Sequence, residues 1–170
     1  LAVLAAVHAA GGDVPEAAAA LSAIHGLKGR GLQHTVAMEG GSFVVIDESY
    51  NASPVSIRAA LEILGQLQPE GNGRRIAVLG DMLELGEQSE AAHAELAETL
   101  IAEKIDLVFT AGQYMAALWE ALAEPMRGGN AISAAEVLAQ VTDAIRPGDV
   151  VVVKGSAGSK TGPIVDALLE

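Results

Sequence analysis

Three short segments of this 170-residue chain hold most of the side chains able to do chemistry. The first is Asp47-Glu48-Ser49-Tyr50-Asn51-Ala52-Ser53-Pro54. An acid followed closely by an aromatic ring and an amide suits a nucleoside. A carboxylate can accept both ribose hydroxyls, a Tyr ring packs on a base plane, and an Asn pairs with a base edge. The competing reading is a capped helix start, with Asp47 and Asn51 satisfying loose backbone N–H groups. The second segment is Leu79-Gly80-Asp81-Met82-Leu83-Glu84-Leu85-Gly86. Its glycines permit tight turns, and Asp81 could hold an ammonium group; an ordinary strand-to-helix turn is the alternative. The third is Lys154-Gly155-Ser156-Ala157-Gly158-Ser159-Lys160-Thr161. A Gly-Ser turn ahead of a helix offers free N–H groups to a carboxylate or phosphate.

That third turn invites comparison with a P-loop, which requires G-x-x-x-x-G-K-[ST]. Here Ser159 separates Gly158 from Lys160, and no Gly lies five residues before Gly158. An anion-binding turn fits better than a true P-loop. His8, His25, His34 and His93 show no i, i+4 pairing and no clustered acids, so no metal site is expected. His93 is expected at the surface. Glu84, Glu87, Glu90, Glu95 and Glu98 read as a solvated helix face, not a metal cage.

The elements that must position these turns follow from periodicity. Residues 1–25 suggest two short Ala-rich helices, the second opened by Asp13, Pro15 and Glu16. A linker over 26–31 carries Lys28 and Arg30. A hairpin is expected around Glu39-Gly40-Gly41, its arms over 35–38 and 42–47. Strands and helices then alternate: strands at 43–46, 76–79, 105–110, 150–153 and, weakly, 130–132. Helices begin at Ser53-Pro54, Glu87 and Ser133, with others around Met115 to Leu122 and from Pro163. Unbroken aliphatic strands alternating with amphipathic helices imply an α/β fold: a Rossmann-like, doubly wound, mostly parallel sheet covered on both faces. Ligands in such sheets sit at the carboxyl ends of the strands, where the three segments fall.

Composition bounds the rest. Half of the residues are apolar (51%) and only 3% aromatic, so the core must be aliphatic. With 22 acidic and 10 basic residues the formal charge is −12, which disfavours nucleic acid and anionic lipid as partners. There is no cysteine, hence no disulfide and no thiolate metal site. No apolar run approaches the roughly 20 residues a membrane span needs, and the apolar start lacks a basic leader region. A cytoplasmic protein is expected. The chain starts at Leu1 inside a helical pattern, which suggests a fragment of a longer protein.

Taken together, Gly29-Arg30, Asp47 to Pro54, Val78 to Glu87, Pro147-Gly148-Asp149 and Val153-Lys154-Gly155-Ser156 resemble the carboxyl-terminal domain of MurF-type enzymes in the Mur ligase family. The order and spacing match over residues 26–170, and residues 1–25 resemble the last helices of the family's central domain. The resemblance implies that Arg30, Asp47, Tyr50 and Asn51 contact ATP, Asp47 through the ribose and Tyr50 and Asn51 beside the adenine. It implies that Asp81, Lys154, Gly155 and Ser156 face the incoming D-Ala-D-Ala, with Asp81 for its ammonium and Ser156 for its carboxylate. Two positions depart from the family: Ser53 stands where Asn is usual, and Ala157 where Arg is frequent. The second puts the strength of the anion contact in doubt.

The implied chemistry is ATP-dependent amide synthesis on UDP-N-acetylmuramoyl-tripeptide, with Mg²⁺ and a P-loop lysine steadying the transferred phosphoryl group. Neither a P-loop nor an Mg²⁺ cage is present in this sequence, so its share would be positioning and closure against the missing amino-terminal and central domains. A catalytic group of its own is not expected. Three other readings remain open. They are another Mur or folylpolyglutamate-type ligase, a free-standing module for a small anion or nucleotide, and a structural domain without ligand.

Overall fold

The computed structural model describes residues 1–22 and 26–170. The boundary expected at residue 25 and the reading of His25 lie outside the described residues. Helices α1 (Ala2–Ala9) and α2 (Val14–Ser22) pack on each other and bury none of their residues. The Asp13 carboxylate accepts from Glu16 N–H at 2.8 Å, the cap read from the sequence.

The remainder is one six-stranded sheet in the order β1-β2-β6-β3-β4-β5, built from β1 (Leu32–Met38), β2 (Gly41–Glu48), β3 (Arg75–Gly80), β4 (Leu107–Ala111), β5 (Arg127–Ala131) and β6 (Val150–Lys154). Among the described residues only the β1–β2 hairpin at the edge is antiparallel; the other pairings are parallel. Strand pleating explains the two-sided core. Val150 and Val152 of β6 join Ala77 and Leu79 of β3 on one face, against α3 (Pro54–Gln66), α5 (Leu96–Ala102) and α6 (Met115–Ala121). Val151 and Val153 join Val45, Val78 and Phe109 on the other, against α7 (Ala134–Ala144) and α8 (Gly162–Leu168). Both faces are covered by helices, as the aliphatic strands require. The chain runs outward through β3, β4 and β5 and then returns to insert β6 between β2 and β3. That reversal is where a doubly wound sheet opens its ligand crevice.

Beyond the earlier start of β1, at Leu32 and not residue 35, three boundaries differ from the sequence expectation. The strand expected at 130–132 is β5, Arg127–Ala131. It begins earlier because Gly128 and Gly129 give no aliphatic signal. They are glycines because a Cβ at Gly128 would stand 2.7 Å from the Phe109 ring. The strand expected from Ile105 starts at Leu107, since Ile105 N–H still bonds the Leu100 carbonyl and Lys104 closes α5 with φ 54°. The single helix expected over 87–104 is a 3₁₀ turn (Gly86–Gln88) followed by α4 (Ser89–Ala94) and α5, parted at Glu95.

Helix α3 starts as expected. Ser53 is its N-cap, accepting from Ser56 N–H at 3.3 Å, while the Ser56 hydroxyl accepts from Ser53 N–H at 2.9 Å. Replacing Ser53 by Ala is expected to lower stability by about 1 kcal/mol in urea titration, with the denaturant slope unchanged.

Candidate functional site

Parallel register brings the three chemistry-bearing turns to one end of the sheet. Glu48 lies opposite Lys154 across β2–β6, Leu79 opposite Lys154 across β3–β6, and Gly80 opposite Ala111 across β3–β4. Ser156 fastens the turns together. Its hydroxyl accepts from Leu83 N–H at 3.0 Å and donates to the Ala52 carbonyl at 3.4 Å, and its N–H donates to the Asp81 carbonyl at 3.0 Å. Beneath it, Gly155 packs against Gly80 with no room for a Cβ, which would collide with Ser159 Oγ.

Four cavities open at this end, one of about 470 Å³ between Lys28, Tyr50, Lys160 and Pro163; the other three hold the candidate residues. One of about 250 Å³ is lined by Arg30, Tyr50, Asn51 and Lys154, among others. The Arg30 guanidinium stacks on the Tyr50 ring, 4.1 Å from its centroid. The linker is held for this contact by Asp47, whose Oδ2 accepts from Gly29 N–H at 2.7 Å. Its Oδ1 accepts from Ser49 N–H at 3.1 Å and from the Ser49 hydroxyl at 2.6 Å. Gly29 has φ 79°, and a Cβ there would stand 2.8 Å from Tyr50 Cβ. Asn51 Oδ1 accepts from Ala52 N–H at 2.8 Å, the capping role weighed against base recognition. Lys154 is buried, its Nζ 3.2 Å from Glu48 Oε2 and 2.9 Å from the Asn51 carbonyl oxygen.

A second cavity, of about 510 Å³, lies between Tyr50, Ser53, Leu85 and Ser156. A third, of about 500 Å³, lies between the ends of β3, β4 and β5 and the starts of α7 and α8, walled by Leu83, Ala111, Ala134, Leu138 and Ile164. Asp81 is its acid. Oδ1 accepts from Met115 N–H at 3.0 Å, so the carboxylate also steadies the start of α6. Burial pushes the Asp81 carboxyl above its usual range, against the opposing effect of the Met115, Tyr114 and Gln113 N–H groups.

The turns are thus joined, but not in the grouping the resemblance implied. Lys154 stands with Arg30, Tyr50 and Asn51, away from Asp81. Ser156 has both donors engaged within the chain and cannot offer them to a carboxylate in this conformation. Gly155 is buried under Ser159, not open to a ligand. Asp47 is 1% exposed with three donors on its oxygens, which leaves no ribose contact as it stands.

His93 is a correction of another kind. Expected at the surface, it is fully buried. Nδ1 lies 2.6 Å from the Ser89 carbonyl oxygen and Nε2 accepts from Met82 N–H at 2.9 Å, so the ring donates from Nδ1 and accepts at Nε2. Nε2 is also 3.9 Å from Asp81 Oδ1. The imidazole clamps the Asp81-Met82 turn from behind. A His four residues after Ser89 on an otherwise acidic and alanine-rich helix was the one available signal.

Residues 29–157 match the family described as Mur ligase, glutamate ligase domain. The chain belongs to the Mur ligase family. It is 35% identical over 162 residues to the UDP-N-acetylmuramoyl-tripeptide–D-alanyl-D-alanine ligase of Bacillus subtilis, and 36% identical over 178 residues to that of Mycobacterium tuberculosis H37Rv. These alignments cover 94% of this Mur ligase chain but only 35% and 34% of the relatives, so it spans about a third of their length. Among solved structures, MurF from Acinetobacter baumannii superposes with a TM-score of 0.78 at 27% identity, over 98% of this chain and 35% of that one. MurF from Thermotoga maritima, crystallised with ADP, shares the fold with a TM-score of 0.74 at 24% identity, over 97% of this chain and 35% of that one. Among the described residues, no helix is long and apolar enough to cross a membrane.

Proposed function

We propose that this Mur ligase domain delivers the amine substrate and closes over the nucleotide in an ATP-dependent ligase that adds D-Ala-D-Ala to UDP-N-acetylmuramoyl-tripeptide. The observation that carries the reading is the pairing of two unlike cavities at one sheet end. One is polar, with Arg30 stacked on Tyr50; the other is aliphatic, with Asp81 in its wall. The D-Ala-D-Ala-adding relatives supply the chemistry to match. ATP would activate the tripeptide carboxylate by phosphoryl transfer, after which the dipeptide amine displaces phosphate.

The residues of this chain bind and orient. Arg30 and Tyr50 present a flat cationic stack at the polar cavity, which fits a purine and its phosphates, and Asn51 lies beside them. Asp47 acts through the linker, fixing Gly29 so that Arg30 reaches Tyr50. Lys154 braces Glu48 and Asn51 beneath that cavity. Asp81 holds the dipeptide ammonium, and the aliphatic wall takes its methyl groups and excludes water. Ser156 and Gly155 keep the turns in register. Mg²⁺ and the phosphate-binding lysine would come from the preceding domains, of which α1 and α2 would be the last helices. Use of ATP and a UDP-linked substrate supports a cytoplasmic reaction.

Grafting this chain in place of the matching third of the Bacillus subtilis ligase tests the reading. The chimera should release phosphate only when D-Ala-D-Ala is supplied. Turnover with meso-diaminopimelate or D-Glu instead would assign the chain to another branch of the family. By itself the 170-residue chain should release no phosphate from ATP in a malachite-green assay. Release that survives Asp47→Ala would contradict the division of labour.

A further inference from the structure

The cavity containing Asp81 has a cation at its rim. Lys160 is the only basic one among the described residues that line it. It is exposed and makes no ion pair among the described residues. We propose that Lys160 recognises the free carboxylate of the amine substrate, so that the cavity binds a small aliphatic dipeptide as a zwitterion. The ammonium sits at Asp81, the methyl groups lie against the aliphatic wall, and the carboxylate meets Lys160. This deepens the D-Ala-D-Ala reading and rests on it.

Elimination and geometry both lead to Lys160. A carboxylate needs donors, and the last turn has few to give. The Ser156 hydroxyl and N–H are engaged with Ala52 and Asp81, and the Ser159 hydroxyl donates to the Ser156 carbonyl at 2.6 Å. Ala157 brings no functional group of its own. Lys160 lies three residues farther on, at the end of the 3₁₀ turn Ala157–Ser159. Its backbone is left-handed, φ 54° and ψ 42°, a conformation that glycine adopts freely and lysine does not. Helix α7 adds to the same pole, because Ala134 and Ala135 of its first turn line the cavity and their N–H groups lack partners within the helix. The exposed Glu136 of that turn is held 3.0 Å from the Ser133 hydroxyl. At about 500 Å³, the space falls in the range of small-molecule sites.

The test is an NMR titration of the ¹⁵N-labelled chain with D-Ala-D-Ala and with its carboxyl-terminal amide. The acid should bind about tenfold more tightly than the amide, shifting the amides of Gly112, Ala134 and Lys160. Lys160→Gln should erase that preference with no change in melting temperature, and Lys160→Arg should retain it. Equal binding of acid and amide, a preference that survives Lys160→Gln, or no perturbation at all would overturn the assignment. Two further outcomes separate this inference from the reading beneath it. Lys160-dependent binding of diaminopimelate in place of D-Ala-D-Ala would sink the substrate and keep Lys160. D-Ala-D-Ala shifts centred on Ser53 and Leu85, unchanged in Lys160→Gln, would sink Lys160 and keep the substrate.

Discussion

Asp81→Asn should make this domain more stable at neutral pH and, in the same protein, weaken binding of D-Ala-D-Ala by ten- to a hundredfold. The first effect follows from linkage. Burial raises the folded-state pKa of Asp81 above its ordinary value of 3.8, so the folded state binds the proton more tightly than the unfolded state. Stability from this group is therefore complete below pH 3.8 and is lost as pH rises through the folded-state value. Asparagine is neutral throughout and keeps a carbonyl oxygen for Met115 N–H. The melting temperatures of the two proteins should converge near pH 3.5 and separate towards pH 7, with the variant higher. The second effect follows from charge. A hydrogen bond to a charged partner contributes about 1.5–3 kcal/mol, and each 1.4 kcal/mol is a factor of ten in affinity. Opposed changes are the signature of a residue kept for binding at the expense of stability. A lower melting temperature at pH 7 with unchanged affinity would reduce Asp81 to a support for α6.

What could be read from the sequence divides along a physical line. Strand and helix types, the two-sided core and the carboxyl-end location of the site all depend on pattern, which one chain displays directly. The valine run Val150 to Val153 declares a central strand without any partner in view, and Ser53-Pro54 declares a helix start. The grouping of the site residues does not have this property. Lys154 belongs with Arg30 because parallel register sets it across from Glu48, and register is a relation between strands far apart in sequence. Ser156 looked like an anion donor because its partners, Ala52 and Leu83, come from other turns. The early start of β5 escapes the sequence for a similar reason. Its two glycines answer to the Phe109 ring on the neighbouring strand, and nothing near them in the chain says so.

His93→Leu should be the most damaging single change near the site. Leucine matches the imidazole in bulk, so the loss would be polar and not a cavity. The Ser89 carbonyl and the Met82 N–H, both partners of the buried ring, would be left without it. The Ser89 carbonyl keeps the helical bond from residue 93 N–H, so Met82 N–H is the group left unsatisfied, and stability should fall by about 1–3 kcal/mol in urea titration. The consequence for function comes through Met82. That residue is fully buried and follows Asp81 directly, so losing the clamp frees the turn that carries the carboxylate. His93→Gln retains an acceptor for Met82 N–H and should recover part of the stability. In the chimeric ligase it should also restore KM for D-Ala-D-Ala more fully than the leucine variant does. Equal KM in the two variants, at temperatures where both are folded, would confine His93 to a structural role and leave Asp81 to be positioned by α6 alone.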